Sequence, residues 1–354
     1  MPELEELLEI MIQKNASDLH ITVNSPPIIR VYGSLEPVEK YGKLDMEEAK
    51  RLCYSILTDH QKKTFEEGRE LDFSFGFAGL GRFRGNIYLQ RGSVGGVFRR
   101  IPAEIPTFQQ LGLPPVLYEL SQKSVGLILV TGPAGSGKST TLAAIVDVIN
   151  SEKAVHIVTI EDPIEFVHTH KTGLVNQREV GSDTESFYAA LKHVLRQDPN
   201  VILMGETRDL ETISIALTVA ETGHLVLGTL HTTSTTETIH RIVDVFPAEQ
   251  QQQIRTQLAS TLEGVICQRL LPRSDGDGRV CACEVMILTP AIRNLIREGK
   301  IHQINAQLQM GRQLGMQTLN ESLHTLYKDG IITKEAALQA SYAPSELLIL
   351  LGQD

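Results

Sequence analysis

The feature that most constrains this chain is a glycine-rich segment near its middle, residues 132–140, which reads GPAGSGKST. It fits the pattern G-x-x-x-x-G-K-S/T at every fixed position. An apolar run, VGLILVT, precedes the segment, and a helical pattern, STTLAAIVDVIN, follows it. A strand that enters a glycine loop and a helix that leaves it are typical of a phosphate-binding loop. The sequence therefore predicts an α/β domain built around such a loop.

The chemistry of a phosphate-binding loop gives each of these residue types a role. Glycines let the main chain curl until several N–H groups face one anion, and the N-terminus of the following helix adds partial positive charge. Lys138 is then expected to reach the β- and γ-phosphates of a nucleotide, and Ser139 to offer its hydroxyl to Mg²⁺. The predicted nucleotide-binding residues are Gly132, Pro133, Ala134, Gly135, Ser136, Gly137, Lys138, Ser139 and Thr140.

The sequence after the loop predicts a parallel sheet. Short, nearly continuous apolar runs are typical of parallel strands buried on both faces, and three follow the loop: AVHIVTIE, NVILMGE and HLVLGTL. Helical patterns separate them, in ESFYAALKHVLRQ and DLETISIALTVAET. A weaker hairpin signal lies around Ser274–Gly278, and the chain after Thr289 and Pro290 has helical patterning throughout.

The N-terminal part of the chain has a different pattern. Leucine and isoleucine spacing predicts a helix over 2–15, and a second helix is expected at about 46–57. Extended segments are DLHITV, IIRVYG, LDFSFGF, GRFRGNIYLQ and GGVFRRI, with glycine or proline turns between them. We therefore expect an α+β domain over 1–101, a proline-punctuated linker over 102–117, a core domain with the phosphate-binding loop over 118–288 and a helical C-terminal region over 289–354.

Acidic residues follow two of the predicted parallel strands. One strand leads into Glu161, Asp162 and Glu165, and the next one ends at Glu206. The carboxyl ends of parallel strands meet at one edge of a sheet, which is where ligands bind in open α/β folds. Glu206 is the candidate for Mg²⁺ coordination, although Gly205 precedes it where an aspartate is usual. Either Glu161 or Glu165 is the candidate general base.

Two histidines flank the last predicted strand, His224 at its start and His231 at its end. A histidine at the carboxyl end of a strand can sense the γ-phosphate or link neighbouring subunits. The alternative for each is a packed or hydrogen-bonded histidine with no catalytic role. The sequence favours a functional role for His231 and leaves both possibilities open for His224.

Charge and composition limit the other possibilities. The chain has 33 basic and 43 acidic residues, a net charge of −10, which argues weakly against a nucleic-acid partner. It has no apolar run of membrane-spanning length, and its acidic N-terminus is unlike a signal peptide, so we expect a cytoplasmic protein without membrane insertion. The four cysteines are too few and too scattered for a disulfide framework and are expected to be buried thiols.

The order of GPAGSGKST, IEDPIEFVH, ILMGETRDLETI and TGHLVLGTLHT resembles the secretion-superfamily ATPases that drive type IV pili and type II secretion. AIRNLIREGK at 291–300, SDLHITVNSPPIIRVYG and GMQTLNESL resemble the branch that retracts pili, and the resemblance covers essentially the whole chain. It implies a RecA-like P-loop core, an N-terminal PAS-like domain and a homohexameric ring. It further implies hydrolysis of ATP with Mg²⁺ to power pilus retraction and twitching motility, with an inner-membrane platform protein as partner at the pilus base.

The resemblance also implies residue roles. Arginines of the N-terminal domain reach the phosphates in such proteins, and the matching positions are Arg84 and Arg99, with Arg82 a weaker match; Glu165 best matches the general base. Three alternatives remain. One is a related motor for extension, secretion or accessory retraction, although the zinc-binding tetracysteine insert of the extension and secretion branches is absent. The others are a RecA-like nucleic-acid translocase, which single-stranded DNA would stimulate, and a nucleotide-binding scaffold without turnover.

Overall fold

The computed structural model describes residues 2–31, 33–102, 104–205, 207, 209–276 and 278–352. The chain divides into two compact units. The first comprises Met1–Glu104 and Pro163–Val167, and the second comprises Ile105–Asp162 and His168–Asp354. The first contains a six-stranded sheet and the second a seven-stranded sheet. The predicted fold class, a RecA-like α/β core with an N-terminal α+β PAS-like domain and a helical C-terminal tail, is confirmed.

The first unit packs helices against an antiparallel sheet with strand order β3-β2-β1-β6-β5-β4. Its core consists of the apolar faces of the helices and of alternate strand residues, including Leu7, Leu8, Leu19, Phe83 and Phe98, all fully buried. Its elements are α1 (Leu4–Gln13), β1 (Asp18–Ile21), β2 (Ile28–Val31), β3 (Ser34–Pro37), α2 (Met46–Tyr54), α3 (Asp59–Gly68), β4 (Glu70–Phe77), β5 (Gly81–Gln90) and β6 (Ser93–Arg100).

The helix predicted at about 46–57 corresponds to α2, which ends earlier, and a separate helix, α3, follows it. Sequence periodicity gives no signal for α3 because Phe65 is the side chain that it buries. Its ends are set by local hydrogen bonds instead. Thr58 and Gln61 form a reciprocal capping box at its start, and Arg69 takes a left-handed conformation, φ +66°, at its end.

The second unit has the strand order β13-β12-β7-β11-β10-β8-β9, in which only the β12–β13 pair is antiparallel among the described pairings. Its strands are β7 (Gly126–Thr131), β8 (His156–Glu161), β9 (Leu174–Glu179), β10 (Val201–Met204), β11 (Leu225–Leu230), β12 (Leu262–Pro272) and β13 (Arg279–Ile287). Its helices are α4 (Val116–Ser121), α5 (Lys138–Glu152), α6 (Phe187–Val194), α7 (Leu210–Glu221), α8 (Thr235–Asp244), α9 (Gln251–Thr261), α10 (Pro290–Arg297), α11 (Ile304–Met310), α12 (Leu319–Lys328), α13 (Lys334–Ala340) and α14 (Pro344–Leu350).

The four predicted parallel strands are confirmed as β7, β8, β10 and β11, buried on both faces. On β7, Leu127 and Leu129 pack into one hydrophobic core, whereas Ile128 and Val130 pack into a second core. The hairpin predicted around Ser274–Gly278 joins β12 to β13. Strand β9 was missed because its burial alternates along a largely polar sequence, LVNQRE, at the edge of the sheet.

Residues from Ile105 to the end of the predicted linker 102–117 belong to the second unit, where Leu113, Val116 and Leu117 are buried. The AIRNLI segment forms α10, and Ile292 and Ile296 on its apolar face are fully buried, as the spacing predicts. The four cysteines are free and buried. Across the described residues, no helix combines the length and the apolarity that a membrane crossing requires.

Candidate nucleotide-binding site

The loop between β7 and α5 has a geometry that only glycine allows at key positions. Gly132 has φ +140° and Gly137 has φ +88°, both in the region that side-chain-bearing residues avoid. A Cβ atom on Gly132 would lie 2.4 Å from the main-chain oxygen of Gln268 and 2.6 Å from Ser136 Oγ. The neighbouring strand β12 therefore presses directly against the start of the loop, and the sequence pattern is a steric requirement.

Lys138 is the first residue of α5, and its ammonium group turns back over the loop. Its Nζ donates hydrogen bonds to the main-chain oxygens of Gly132, at 2.8 Å, and Pro133, at 3.0 Å. Ser136 Oγ is buried beside them and has no hydrogen-bond partner within the described part of the chain. A glycine loop at a helix N-terminus, a lysine ammonium and an unpartnered buried hydroxyl fit the phosphates of a nucleotide.

Ser139, the predicted Mg²⁺ ligand, is exposed at the N-terminus of the same helix, and Thr140 is half-buried. A helix N-terminus attracts the negative charge of phosphate groups. A serine at this position places a hydroxyl oxygen, which is a ligand that Mg²⁺ accepts, next to that charge. The loop residues therefore fit both a nucleotide and its metal ion.

The strand ends that carry the other candidate residues lie level with the loop. In the sheet, Thr131 at the end of β7 is opposite Leu230 at the end of β11, and Met204 at the end of β10 is opposite Ile160 on β8. The segments after these strands therefore emerge at one edge. Glu161 and the exposed His231 are thus brought to the same edge as Lys138, as the sequence predicts.

Glu161, the last residue of β8, is half-buried and held by neighbouring side chains. Its Oε1 accepts hydrogen bonds from Thr159 Oγ1 at 2.7 Å and from Gln177 Nε2 at 3.2 Å. The other candidate base, Glu165, is exposed and belongs to the segment Pro163–Val167, which groups with the first unit. The two carboxylates therefore belong to different units of the chain.

Glu206, the predicted Mg²⁺ ligand, lies outside the described residues. The residues on either side of it are tied to strand β11 through Thr229. Thr229 Oγ1 donates to the Gly205 oxygen at 2.5 Å, and Thr207 Oγ1 donates to the Thr229 oxygen at 2.5 Å. Hydrogen bonds in both directions hold the main chain before and after position 206 against the neighbouring strand.

His224 is not at this edge, although the sequence left a functional role open for it. It precedes β11 and lies at the amino end of the strand, the opposite edge from the loop. Its Nδ1 is 3.1 Å from Thr222 Oγ1 and 3.2 Å from the Val219 oxygen, at the C-terminus of α7. His224 therefore lies apart from the loop and beside polar groups at the end of α7.

The predicted arginines Arg84 and Arg99 are neighbours on the sheet of the first unit. They are directly opposite each other on β5 and β6, and Asp18 on β1 is opposite Arg99. Arg99 Nε donates to Asp18 Oδ1 at 2.8 Å, although the arginine side chain remains 68% exposed. Arg84 is also exposed and lies 4.0 Å from Asp72. Arg82 is half-buried and donates to Ser74.

The buried carboxylate of Asp18 reduces the repulsion within this row of arginines. Burial by itself would raise the pKa of Asp18, but hydrogen bonds from Ser17 and Arg99 outweigh burial and lower that pKa below its usual value. Asp18 therefore stays ionised, and like charges placed opposite each other on adjacent strands need such a partner. No local sequence pattern singles out Asp18, because its contact with Arg99 depends on strand register.

A buried histidine, His168, provides a test of the environment beside the acidic segment. Its side chain is buried, and Nδ1 has no hydrogen-bond partner among the described residues. Burial lowers the pKa of His168 to about 4 from its ordinary value of 6.5. The unfolded chain therefore takes up a proton more readily, so stability is full above pH 6.5 and falls as the pH drops toward 4.

We expect His168→Phe to reduce this acid sensitivity. Between pH 7.5 and pH 5, the wild type should lose about 1–2 kcal/mol more of its free energy of unfolding than the variant does. Urea unfolding at the two pH values measures the difference. His193→Gln, which changes an exposed histidine on α6 of the same unit, is the control and should show the acid sensitivity of the wild type. Equal acid sensitivity of His168→Phe and the wild type would contradict a neutral buried imidazole.

A strand, a glycine loop and a helix that starts with lysine, with the Glu161 carboxylate at the same edge of a mostly parallel RecA-like sheet, define a P-loop ATPase. The chain belongs to the family described as type II/IV secretion system protein, which matches residues 107–339.

Individual relatives match over nearly the whole chain. The chain is 51% identical to the type IV pilus retraction ATPase PilT of Pseudomonas aeruginosa over 97% of its own length and 99% of that protein. It is 48% identical to a twitching motility protein of Neisseria gonorrhoeae, over 92% of this chain and 87% of that one. A crystal structure of the pilus retraction motor PilT with bound ADP superposes with a TM-score of 0.93 at 51% identity, covering 98% of this chain and 99% of that one.

Proposed function

We propose that this protein is a motor ATPase that hydrolyses ATP to retract type IV pili and so supports twitching motility. The observation that carries the proposal is the intact phosphate loop, with Lys138 over its carbonyls, in a chain that resembles a pilus retraction ATPase over nearly its whole length. The AIRNLI helix and the absence of a tetracysteine insert in the sequence support retraction rather than extension or secretion.

We assign the residues as follows. Residues 132–140 bind the phosphates of ATP, and Lys138 neutralises the charge that develops on the β- and γ-phosphates. Ser139 and Glu206 would hold Mg²⁺, which neutralises charge on the phosphates when it is bound. We assign Glu165 or Glu161 to orienting the attacking water and His231 to sensing the γ-phosphate.

We assign Arg84 and Arg99 to the stabilisation of phosphate charge in the assembled ring. Their exposed guanidinium groups lie side by side on one face of the sheet, which suits a polyanion such as a triphosphate. We infer a homohexamer working on the cytoplasmic side of the inner membrane at the pilus base, against a platform protein. The resemblance to the retraction branch supports these assignments, and no nucleic acid takes part.

The test is made in a host strain that lacks this protein. We expect its labelled pili to extend but no longer shorten, and its surface motility to stop. The wild-type gene should restore shortening, and a gene carrying Glu206→Gln should not, because the purified variant should bind ATP and turn it over at least about a hundredfold more slowly. Normal pilus shortening in the deletion strain would contradict the proposed function.

A further inference from the structure

Gln177 joins the two ends of the acidic segment that follows β8. It lies on β9, directly opposite Thr159 of β8. Its Nε2 donates to Glu161 Oε1 at 3.2 Å, just before the segment, and its Oε1 accepts from the His168 main-chain N–H at 2.8 Å, just after it. One amide group therefore bonds to both flanks of residues 162–167, the segment that contains Glu165.

The arrangement uses both the donor and the acceptor of the Gln177 amide group. A glutamine side chain carries a donor and an acceptor on one rigid plane, and both are needed because Glu161 offers an acceptor and His168 a donor. Thr159 Oγ1 donates to the same Glu161 oxygen at 2.7 Å, so two neutral donors converge on Oε1. Two fixed donors on one oxygen restrict the rotation of the carboxylate plane.

We propose that Gln177 is a positioning residue for ATP hydrolysis, which orients Glu161 and fixes both ends of the acidic segment. This inference rests on the proposed ATPase function. Gln177 acts through Glu161 and the segment, without contacting the nucleotide itself. Misplacement of a catalytic group by about 1 Å can cost on the order of a hundredfold in rate. Loss of the hydrogen bonds from Gln177 should therefore lower the turnover of ATP more than its binding.

The first variant, Gln177→Leu, removes both hydrogen bonds with little change in side-chain volume. In the purified full-length protein we expect kcat to fall about tenfold while KM for ATP and the affinity for fluorescent ADP with Mg²⁺ change less than about twofold. Retained ADP binding and a thermal unfolding midpoint near that of the wild type show that the variant is folded. Thr159→Val, which removes the other donor to Glu161, should lower kcat in the same way.

The second variant, Gln177→Glu, gives a signature that a purely structural residue would not give. When ionised, Glu at 177 keeps the acceptor for His168 but places a second negative charge against Glu161. When protonated, it can donate to Glu161 and accept from His168, as the amide does. Two carboxylates at hydrogen-bond distance take up a shared proton as the pH falls. Titration of His168 does not contribute to the pH dependence of kcat in this range, because its pKa of about 4 keeps it neutral above pH 5.5.

We expect the kcat of Gln177→Glu to be about tenfold below that of the wild type at pH 8 and within about threefold of it at pH 6. The matched control is Gln257→Glu on α9, because Gln257 also donates to a carboxylate, that of Glu221 at the end of α7, and the variant places the same second charge against it. Because this pair lies apart from Glu161 and the acidic segment, the kcat of Gln257→Glu relative to the wild type should stay constant with pH.

The outcomes separate the two claims. A wild-type protein that binds ADP but does not turn over ATP would overturn the proposed function itself. An active wild type with unchanged kcat in Gln177→Leu would overturn the positioning role alone. So would a Gln177→Glu variant whose activity relative to the wild type does not change with pH, or one that changes no more than Gln257→Glu does.

Discussion

Replacing Lys138 with alanine should reduce ATP turnover by at least about a hundredfold. The charge on the transferring phosphoryl group is stabilised mainly by fixed positive groups, and removal of such a group in a water-excluded site costs on the order of 3–4 kcal/mol or more. Lys138 is largely buried and already turned toward the loop carbonyls, so no other side chain can take its place without moving the helix. Steady-state phosphate release by the purified protein measures the loss.

The control for this experiment is the lysine at the other end of the same helix. Lys153 is the C-cap residue of α5, and its Nζ donates to the main-chain oxygens of Ser121 and Lys123. Lys153→Ala removes an equal charge and about 1 kcal/mol of hydrogen bonding, but it lies away from the phosphate loop. Its turnover should remain within about twofold of the wild type. A Lys138→Ala variant that turns over ATP as fast as Lys153→Ala would contradict the assignment of the loop.

The contrast between Lys138 and Gln177 shows which parts of the site can be predicted from the sequence. The phosphate loop is a local feature, because its glycines, lysine and serine lie within a few residues of one another, and the pattern therefore predicts their roles. Gln177, Thr159 and Asp18 act through partners on neighbouring strands. Their contacts depend on strand register, and strand β9 itself was not predicted. No local pattern marks such residues.

The sequence did contain a signal for the placement of the two histidines that flank β11, His224 and His231. Both flank one strand, but its direction is fixed once the strand is parallel to β7, so His224 must lie at the edge away from the loop and His231 at the edge beside it. The apolar runs were sufficient to predict the buried strands. The capped helix α3 and the polar edge strand β9 were missed because neither buries a continuous apolar face.

The steric tightness of the loop leads to the second large prediction, Gly132→Ala. The new Cβ would meet the Gln268 oxygen at 2.4 Å and Ser136 Oγ at 2.6 Å, and the main chain would hold φ +140°. The Gln268 oxygen belongs to the main chain of β12, which cannot turn aside as a side chain can. We expect a loss of at least about 3 kcal/mol in the free energy of unfolding and an ADP affinity reduced at least a hundredfold.

Gly135→Ala, in the same loop, separates this clash from backbone strain alone. Gly135 also has a positive φ, +75°, but a Cβ atom there would meet nothing within 4 Å. The free energy of unfolding of Gly135→Ala should fall only by the cost of the left-handed conformation, about 1–2 kcal/mol, and its ADP affinity should fall less than about tenfold. Thermal unfolding and titration with fluorescent ADP and Mg²⁺ measure both quantities for each variant. Equal effects of the two substitutions would show that flexibility of the loop, rather than contact with β12, is what the first glycine provides.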